Sequence, residues 1–146
     1  MVQAGDPNTK PFKPVSDTSK AAQTIPAEFR TGLFHKKGVI AAARMGDNVN
    51  PTKASSATQF YLVQGKVFTG QALDSVETFR LRRKLPDPHR QVYKTLGGTP
   101  HLDQQYTVFG EVIRGVHVID SIAITPTNGP SGGNRPLHAD RQNSRR

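Results

Sequence analysis

The run Ser55-Ser56-Ala57-Thr58-Gln59-Phe60-Tyr61-Leu62-Val63 passes without a break from small polar residues into an apolar strand. Such a run constrains the fold from both ends. The apolar half must be buried in a sheet, and the polar half must stay reachable at the edge of a pocket. The aromatic and branched residues from Phe60 onward favour extended backbone. Gln59 stands directly before two aromatics. It sets an amide donor and acceptor beside a floor of rings, which suits gripping a peptide backbone and an apolar side chain together.

The other segments are read around this strand. Met1 to Ala4 reads as a short strand entering a tight turn at Gly5-Asp6-Pro7, and Asn8 to Lys20 as surface loop. Gln23-Thr24-Ile25 is a brief strand stopped by Pro26, and Gly38 to Ala43 is a short buried strand. Asn48 to Ala57 is loop, and Thr58 to Gln64 is the strongest strand. The period then changes. Leu73, Val76, Phe79 and Arg80, with Leu81 slightly off the stripe, mark an amphipathic helix over Gln71 to Lys84. Asp87 and Pro88 read as the N-cap and first residue of a second helix through Val92 and Leu96, stopped by Gly97-Gly98. Tyr106 to Ile113 alternates as a strand, with Tyr106, Val108 and Gly110 on one side. Val116 to Ile122 is a short helix with Ile119 and Ile122 toward the core. The chain after Pro126 reads as loop, and 139–146 as a basic, disordered tail. Strands with one helical insert point to an antiparallel barrel or sandwich rather than βαβ units.

Composition removes whole classes of chemistry. The absence of cysteine excludes disulfides, thiolate catalysis and cysteine zinc sites. A hydrophobic share of 34%, with 13 Gly and 11 Pro, disfavours a helical bundle. No apolar run approaches the roughly 20 residues that span a bilayer, so no membrane is expected. No signal peptide is read at Met1, and cytoplasmic placement is the expectation. Much of the formal charge of +9 sits in Arg80, Arg82, Arg83 and Lys84 and in Arg141, Arg145 and Arg146. Without interleaved exposed aromatics this reads as a solvated helix face plus a tail, not as a nucleic-acid surface. His35, His89, His101, His117 and His138 have no metal-ligand spacing and read as scattered surface histidines. There is no nucleophile elbow, and Gly129 to Gly133 lacks the context of a phosphate loop.

Taken alone, these residues offer no acid/base pair, no nucleophile and no metal. Rotation about an X-Pro bond needs none of them. It must cross a barrier near 18–20 kcal/mol, which takes tens to hundreds of seconds unaided. An apolar pocket for the ring, a grip on the flanking backbone and a donor to the pyramidal nitrogen suffice.

Several motifs, in order, resemble the cyclophilin family of peptidyl-prolyl isomerases. Met1-Val2-Gln3-Ala4-Gly5-Asp6 is similar to F-M-x-Q-G-G-D, and Thr24 to Phe29 to (I/L)-x-x-E-F. Gly38 to Arg44 resembles G-x-(L/I)-(S/A)-M-A-(N/R), and Thr58 to Leu62 resembles S-Q-F-F-I. Leu102-Asp103 with Tyr106 to Val112 resembles L-D-x-x-(H/Y)-x-V-F-G-x-V. The resemblance covers roughly Met1 to Leu137. It implies a mainly β fold, a closed eight-stranded antiparallel barrel with capping helices, here incomplete and carrying a helical insert over about 70–98, in a cyclophilin-like domain over 1–138.

The same resemblance implies isomerase activity on proline-containing peptides and unfolded proteins, by a monomer without cofactor or metal. Gln3 and Gln59 would hydrogen-bond the substrate backbone. Met1, Tyr61 and Leu102 would line the proline pocket, with Tyr106 at its rim and Phe60 in the core. Ala43 would offer backbone to the peptide. Ala42, Arg44, Ser56 and Ala57 would border the adjoining groove. His101 stands where the family has tryptophan, so only weak cyclosporin binding is expected. The family's F-H-R-x-I segment precedes its Met-x-Gln motif, and this chain starts at that Met, so the catalytic arginine is missing. The last strand after Arg-Pro-Leu is replaced by polar residues. The 146-residue chain is therefore expected to be a weak or inactive isomerase. A non-catalytic proline-peptide binding or chaperone module on the same fold is the alternative.

Overall fold

The computed structural model describes residues 1–5 and 23–126. The expected turn residues Asp6-Pro7, the loop 8–20, the Gly129 to Gly133 segment, His138 and the basic tail lie outside the described residues.

Six short strands form two sheets. β1 (Val2–Ala4), β5 (Phe60–Leu62), β3 (Val39–Ala42) and β6 (Val108–Glu111) lie side by side in the order β1-β5-β3-β6, all antiparallel. β2 (Thr24–Ile25) pairs with β4 (Ser55–Ser56) in a separate two-stranded sheet. The fold is therefore mainly sheet with three α-helices, and the described strands do not close into a barrel.

The strand in the opening run behaves as its pattern requires. Tyr61 and Val63 point into a core with Val39, Ala41 and Val108, while Phe60 and Leu62 on the opposite face are only half-buried. The expectation that Phe60 lies in the core is not met: Phe60 is half-buried, and Tyr61, expected at the proline pocket, is the core aromatic. Strand alternation places one of two successive aromatics on each face, and the face holding Tyr61 is the closed one. On β6, Ile40 pairs with Gly110 but Ala41 with Val108, so Phe109 is an extra, bulged residue. It projects outward and is exposed.

The helical segment differs from the amphipathic stripe read from sequence. α1 (Gly70–Val76) continues into a π turn over Glu77–Leu81, and α2 (Asp87–Thr95) follows. The inward line runs Leu73, Glu77 and Leu81. Phe79, expected on the apolar face, is 77% exposed immediately before the basic run, and Arg80 is also outside. Asp87 is the first residue of α2 rather than its cap, which is Pro86. The far end is as expected: Gly97, at φ +86, takes the left-handed conformation that terminates the helix. α3 (Val116–Ala123) buries Ile119, but Ile122 lies at its exposed edge.

Glu77 is the residue on which this segment turns. Its Oε1 accepts from Arg90 Nη1 at 2.5 Å and from the Leu85 N–H at 3.1 Å. Lys84 Nζ, on an exposed side chain, forms an ion pair with Oε2 at 3.0 Å. Burial alone would raise the Glu77 carboxyl; the Arg90 hydrogen bond, with Lys84 and Leu85, more than reverses it, and its pKa falls below the ordinary 4.5. A lowered native pKa means that the unfolded chain binds the proton more readily, so stability rises with pH across this window. Unfolding monitored against pH is expected to lose this contribution as pH drops below about 4.5. Glu77→Gln should remove that pH dependence and destabilise the protein by about 1–3 kcal/mol at neutral pH.

Candidate functional site

A cavity of about 550 Å³ opens where β1, β5, the end of β3 and the Pro100–Leu102 turn meet. That size is ordinary for a ligand site. Met1, Gln3, Ala43, Arg44, Ser56, Gln59, Tyr61, Leu102 and Tyr106 line it. All nine come from the residues picked out by sequence. The two that do not line it are Ala42, whose side chain is buried, and Ala57, which is exposed.

Strand pairing builds the polar wall. In the β1–β5 register Gln3 sits opposite Tyr61 and Ala4 opposite Phe60, which brings Gln59 beside the end of β1. Gln3 Nε2 donates to Gln59 Oε1 at 3.1 Å. The two amides thereby fix one another. A carbonyl on Gln3 and an NH2 on Gln59 are left for an incoming peptide. Ser56 holds the base of this wall, because its Oγ accepts from the N–H groups of Thr58 and Gln59 at 3.3 and 3.0 Å.

The apolar floor is aromatic. Tyr61 and Tyr106 meet edge to face at 5.8 Å, and the Arg44 guanidinium lies 4.6 Å from the centre of the Tyr106 ring. Arg44 is otherwise committed to the protein. Its Nε donates to the Gln105 carbonyl at 2.8 Å, and its Nη1 donates to the Met45 carbonyl and to Asp47 at 2.9 and 2.6 Å. Its side chain is only 5% exposed. Leu102 closes the floor from the Pro100–Leu102 turn, packed on the Val39–Tyr61 core.

The backbone expected from Ala43 is largely occupied. Its N–H donates to Gln59 O at 2.9 Å and its carbonyl already accepts from the Ser56 N–H at 2.8 Å. Arg44, one residue on, makes no backbone–backbone hydrogen bond among the described residues. Sequence reading missed this, because backbone pairing runs one residue past β3, through Ala43, and nothing in the composition marks where it stops. It also missed Gln23, Thr24, Met45, Val49, Asn50 and Ala54, which extend the cavity between β2 and the 45–54 loop. Met45 and Val49, the latter within the expected 48–57 loop, are well exposed and apolar along this extension.

His35 is the main correction. It was read as a surface histidine and is fully buried. Asp103 Oδ1 accepts from the His35 N–H at 2.8 Å and lies 3.0 Å from His35 Nδ1. His35 Nε2 lies 3.0 Å from the Tyr61 hydroxyl, directly behind the cavity floor. Burial, and then Tyr106 and Asp103, hold the Tyr61 phenol well above its ordinary pKa, so it remains protonated. Among the described residues no three His, Asp or Glu side chains come together in a way that could hold a metal ion.

Residues 1–142 match the family model described as cyclophilin type peptidyl-prolyl cis-trans isomerase/CLD. The chain is 33% identical over 138 residues to a protein of Staphylococcus aureus strain USA300 named "Putative peptidyl-prolyl cis-trans isomerase". The identity is 31% to a protein of that name from Staphylococcus saprophyticus. In each case the alignment covers 94% of this chain and 62% of the relative, so the chain spans less than two thirds of the relatives' length. With the match running through both walls of the cavity, the chain belongs to the cyclophilin-type peptidyl-prolyl cis-trans isomerase family.

Proposed function

We propose that the cavity binds an X-Pro segment of a flexible or unfolded chain and accelerates rotation about its imide bond. The observation that carries this reading is the Gln3–Gln59 amide pair standing over a floor of Met1, Tyr61, Leu102 and Tyr106. The proline ring enters the apolar floor, where it leaves water without desolvating any polar group of its own. The paired amides and the Arg44 backbone, which makes no backbone–backbone hydrogen bond among the described residues, hold the peptide on either side, so rotation is confined to the one bond between two gripped halves. No proton changes hands, and no nucleophile or cofactor is required. The two sheets are read as parts of a closed antiparallel barrel of the family type.

A donor to the proline nitrogen would stabilise the twisted state, whose nitrogen lone pair is released from resonance. The one cation lining the cavity among the described residues is Arg44, and its guanidinium is stacked on Tyr106 and bonded to the 45–47 and 105 segments. It serves as a wall rather than as that donor. By the magnitude found for removing one transition-state donor, such a group contributes about 2.7–4 kcal/mol, or roughly 10²–10³ in rate. His101, at the family's tryptophan position, is exposed and does not line the cavity, in keeping with weak cyclosporin binding.

Exchange between cis and trans forms of an Ala-Pro peptide, followed by NMR, tests the reading. Acceleration and saturable binding are expected, with Gln59→Ala weakening both by about tenfold or more. Unchanged exchange and no binding at millimolar peptide would refute it. Arg44→Lys should lower stability by about 1–2 kcal/mol and weaken peptide binding, because an ammonium cannot lie flat on Tyr106 while bonding two carbonyls and Asp47. Thermal unfolding and peptide titration measure the two effects. A cyclosporin dissociation constant in the nanomolar range would contradict the role given to His101.

A further inference from the structure

We propose that His35, Asp103 and Tyr93 form a positioning unit that holds Tyr61 as a fixed floor of the cavity and makes α2 part of the substrate site. The proposal rests on the X-Pro reading of the cavity. Its basis is one continuous hydrogen-bonded line from the cavity to the helix. The Tyr61 hydroxyl meets His35 Nε2 at 3.0 Å, and His35 Nδ1 meets Asp103 Oδ1 at 3.0 Å. The Tyr93 hydroxyl lies 2.9 and 2.8 Å from the two oxygens of the same carboxylate. None of the four side chains is more than 3% exposed, so water does not compete for these groups.

The proton directions follow from the carboxylate. Asp103 accepts, so Nδ1 of His35 carries a hydrogen, and in the proposed unit Nε2 is the acceptor. Tyr61 then donates to Nε2 and Tyr93 donates to Asp103. Turning the Tyr61 ring aside would strand a buried hydroxyl and a buried ring nitrogen, each at the desolvation cost of an unmade hydrogen bond.

The helix end of the line is itself held. Tyr93 is fully buried among Phe68, Leu73 and Leu85, and its carbonyl accepts from the Phe68 N–H at 3.0 Å. Gly98 lets the two halves meet: a Cβ there would lie 2.2 Å from His35 O and 2.7 Å from the Tyr93 ring. A displacement of α2 therefore reaches the cavity through Asp103 and His35 without passing through solvent.

Two conservative variants and their combination test this. Tyr61→Phe cuts the first link and keeps the ring, and Tyr93→Phe cuts the last link outside the cavity. For Ala-Pro exchange, each is expected to lower kcat/KM about tenfold, and the double variant also about tenfold, because the links act as one. An additive loss of about a hundredfold, or unchanged turnover in Tyr93→Phe, overturns the proposal. A second readout needs no substrate. In the wild type, the two edges of the ¹³C-labelled Tyr61 ring should give separate NMR signals and His35 Nε2 the ¹⁵N shift of an acceptor. In Tyr93→Phe, the ring signals should average. Equal ring flipping in both proteins overturns the positioning role. Absent wild-type exchange and binding, with the ring difference intact, would refute the X-Pro reading and leave the positioning role standing.

Discussion

The buried carboxylate of Asp103 is the contact on which most of the molecule depends. It accepts from the His35 backbone and ring and from the Tyr93 hydroxyl. These donors come from two separate stretches of chain, 68 and 10 residues from Asp103 in sequence. A charge so deeply buried is tolerated only when fully hydrogen-bonded. Satisfying it therefore forces the 33–36 loop, α2 and the Pro100–Leu102 turn into one place. Two hydrophobic clusters meet across it, one around Tyr61 and one around Tyr93. Each cluster is modest, and the polar line between them sets their relative position.

The cavity inherits its shape from that arrangement. Leu102 and Asp103 are neighbours in sequence, yet Leu102 faces the cavity and Asp103 the interior. The turn that starts at Pro100 makes this split, and the Asp103 carboxylate anchors it. Tyr61 is tied from behind through His35, and Tyr106 is braced from the front by Arg44. The polar wall is organised separately by local means, with Ser56 capping the turn below Gln59 and Gln59 locked against Gln3. A rigid ring floor and a self-paired amide wall suit a reaction in which nothing is transferred and geometry alone must change.

The helical segment shows where pattern and packing part company. The stripe read from sequence groups Phe79 and Arg80 with Leu73 and Val76, whereas the inward side chains are Glu77 and Leu81, four and eight residues after Leu73. The Arg90 guanidinium on α2 meets the Glu77 carboxylate at 2.5 Å, a contact a phenyl ring cannot make. Helical periodicity holds no information about a cation thirteen residues downstream. His35 escaped notice for the same kind of reason: its partner Asp103 is 68 residues away, and a lone histidine in a polar loop carries no local sign of burial.

The ordered motifs were enough to identify the family and five of the six strands, though not β4 inside the 48–57 loop, because strand alternation and short-range turn chemistry act within a few residues. Gln59 before Phe60 and Tyr61 announces an amide beside rings wherever the chain goes. Only the tertiary structure decided that Tyr61 is the buried aromatic and Phe60 the outer one, that Arg44 is a brace, and that Ala43 has its N–H already paired. Those outcomes depend on which groups from distant segments arrive at the same point. Burial and hydrogen-bond satisfaction are properties of that meeting, and the neighbours of a residue along the chain do not record them.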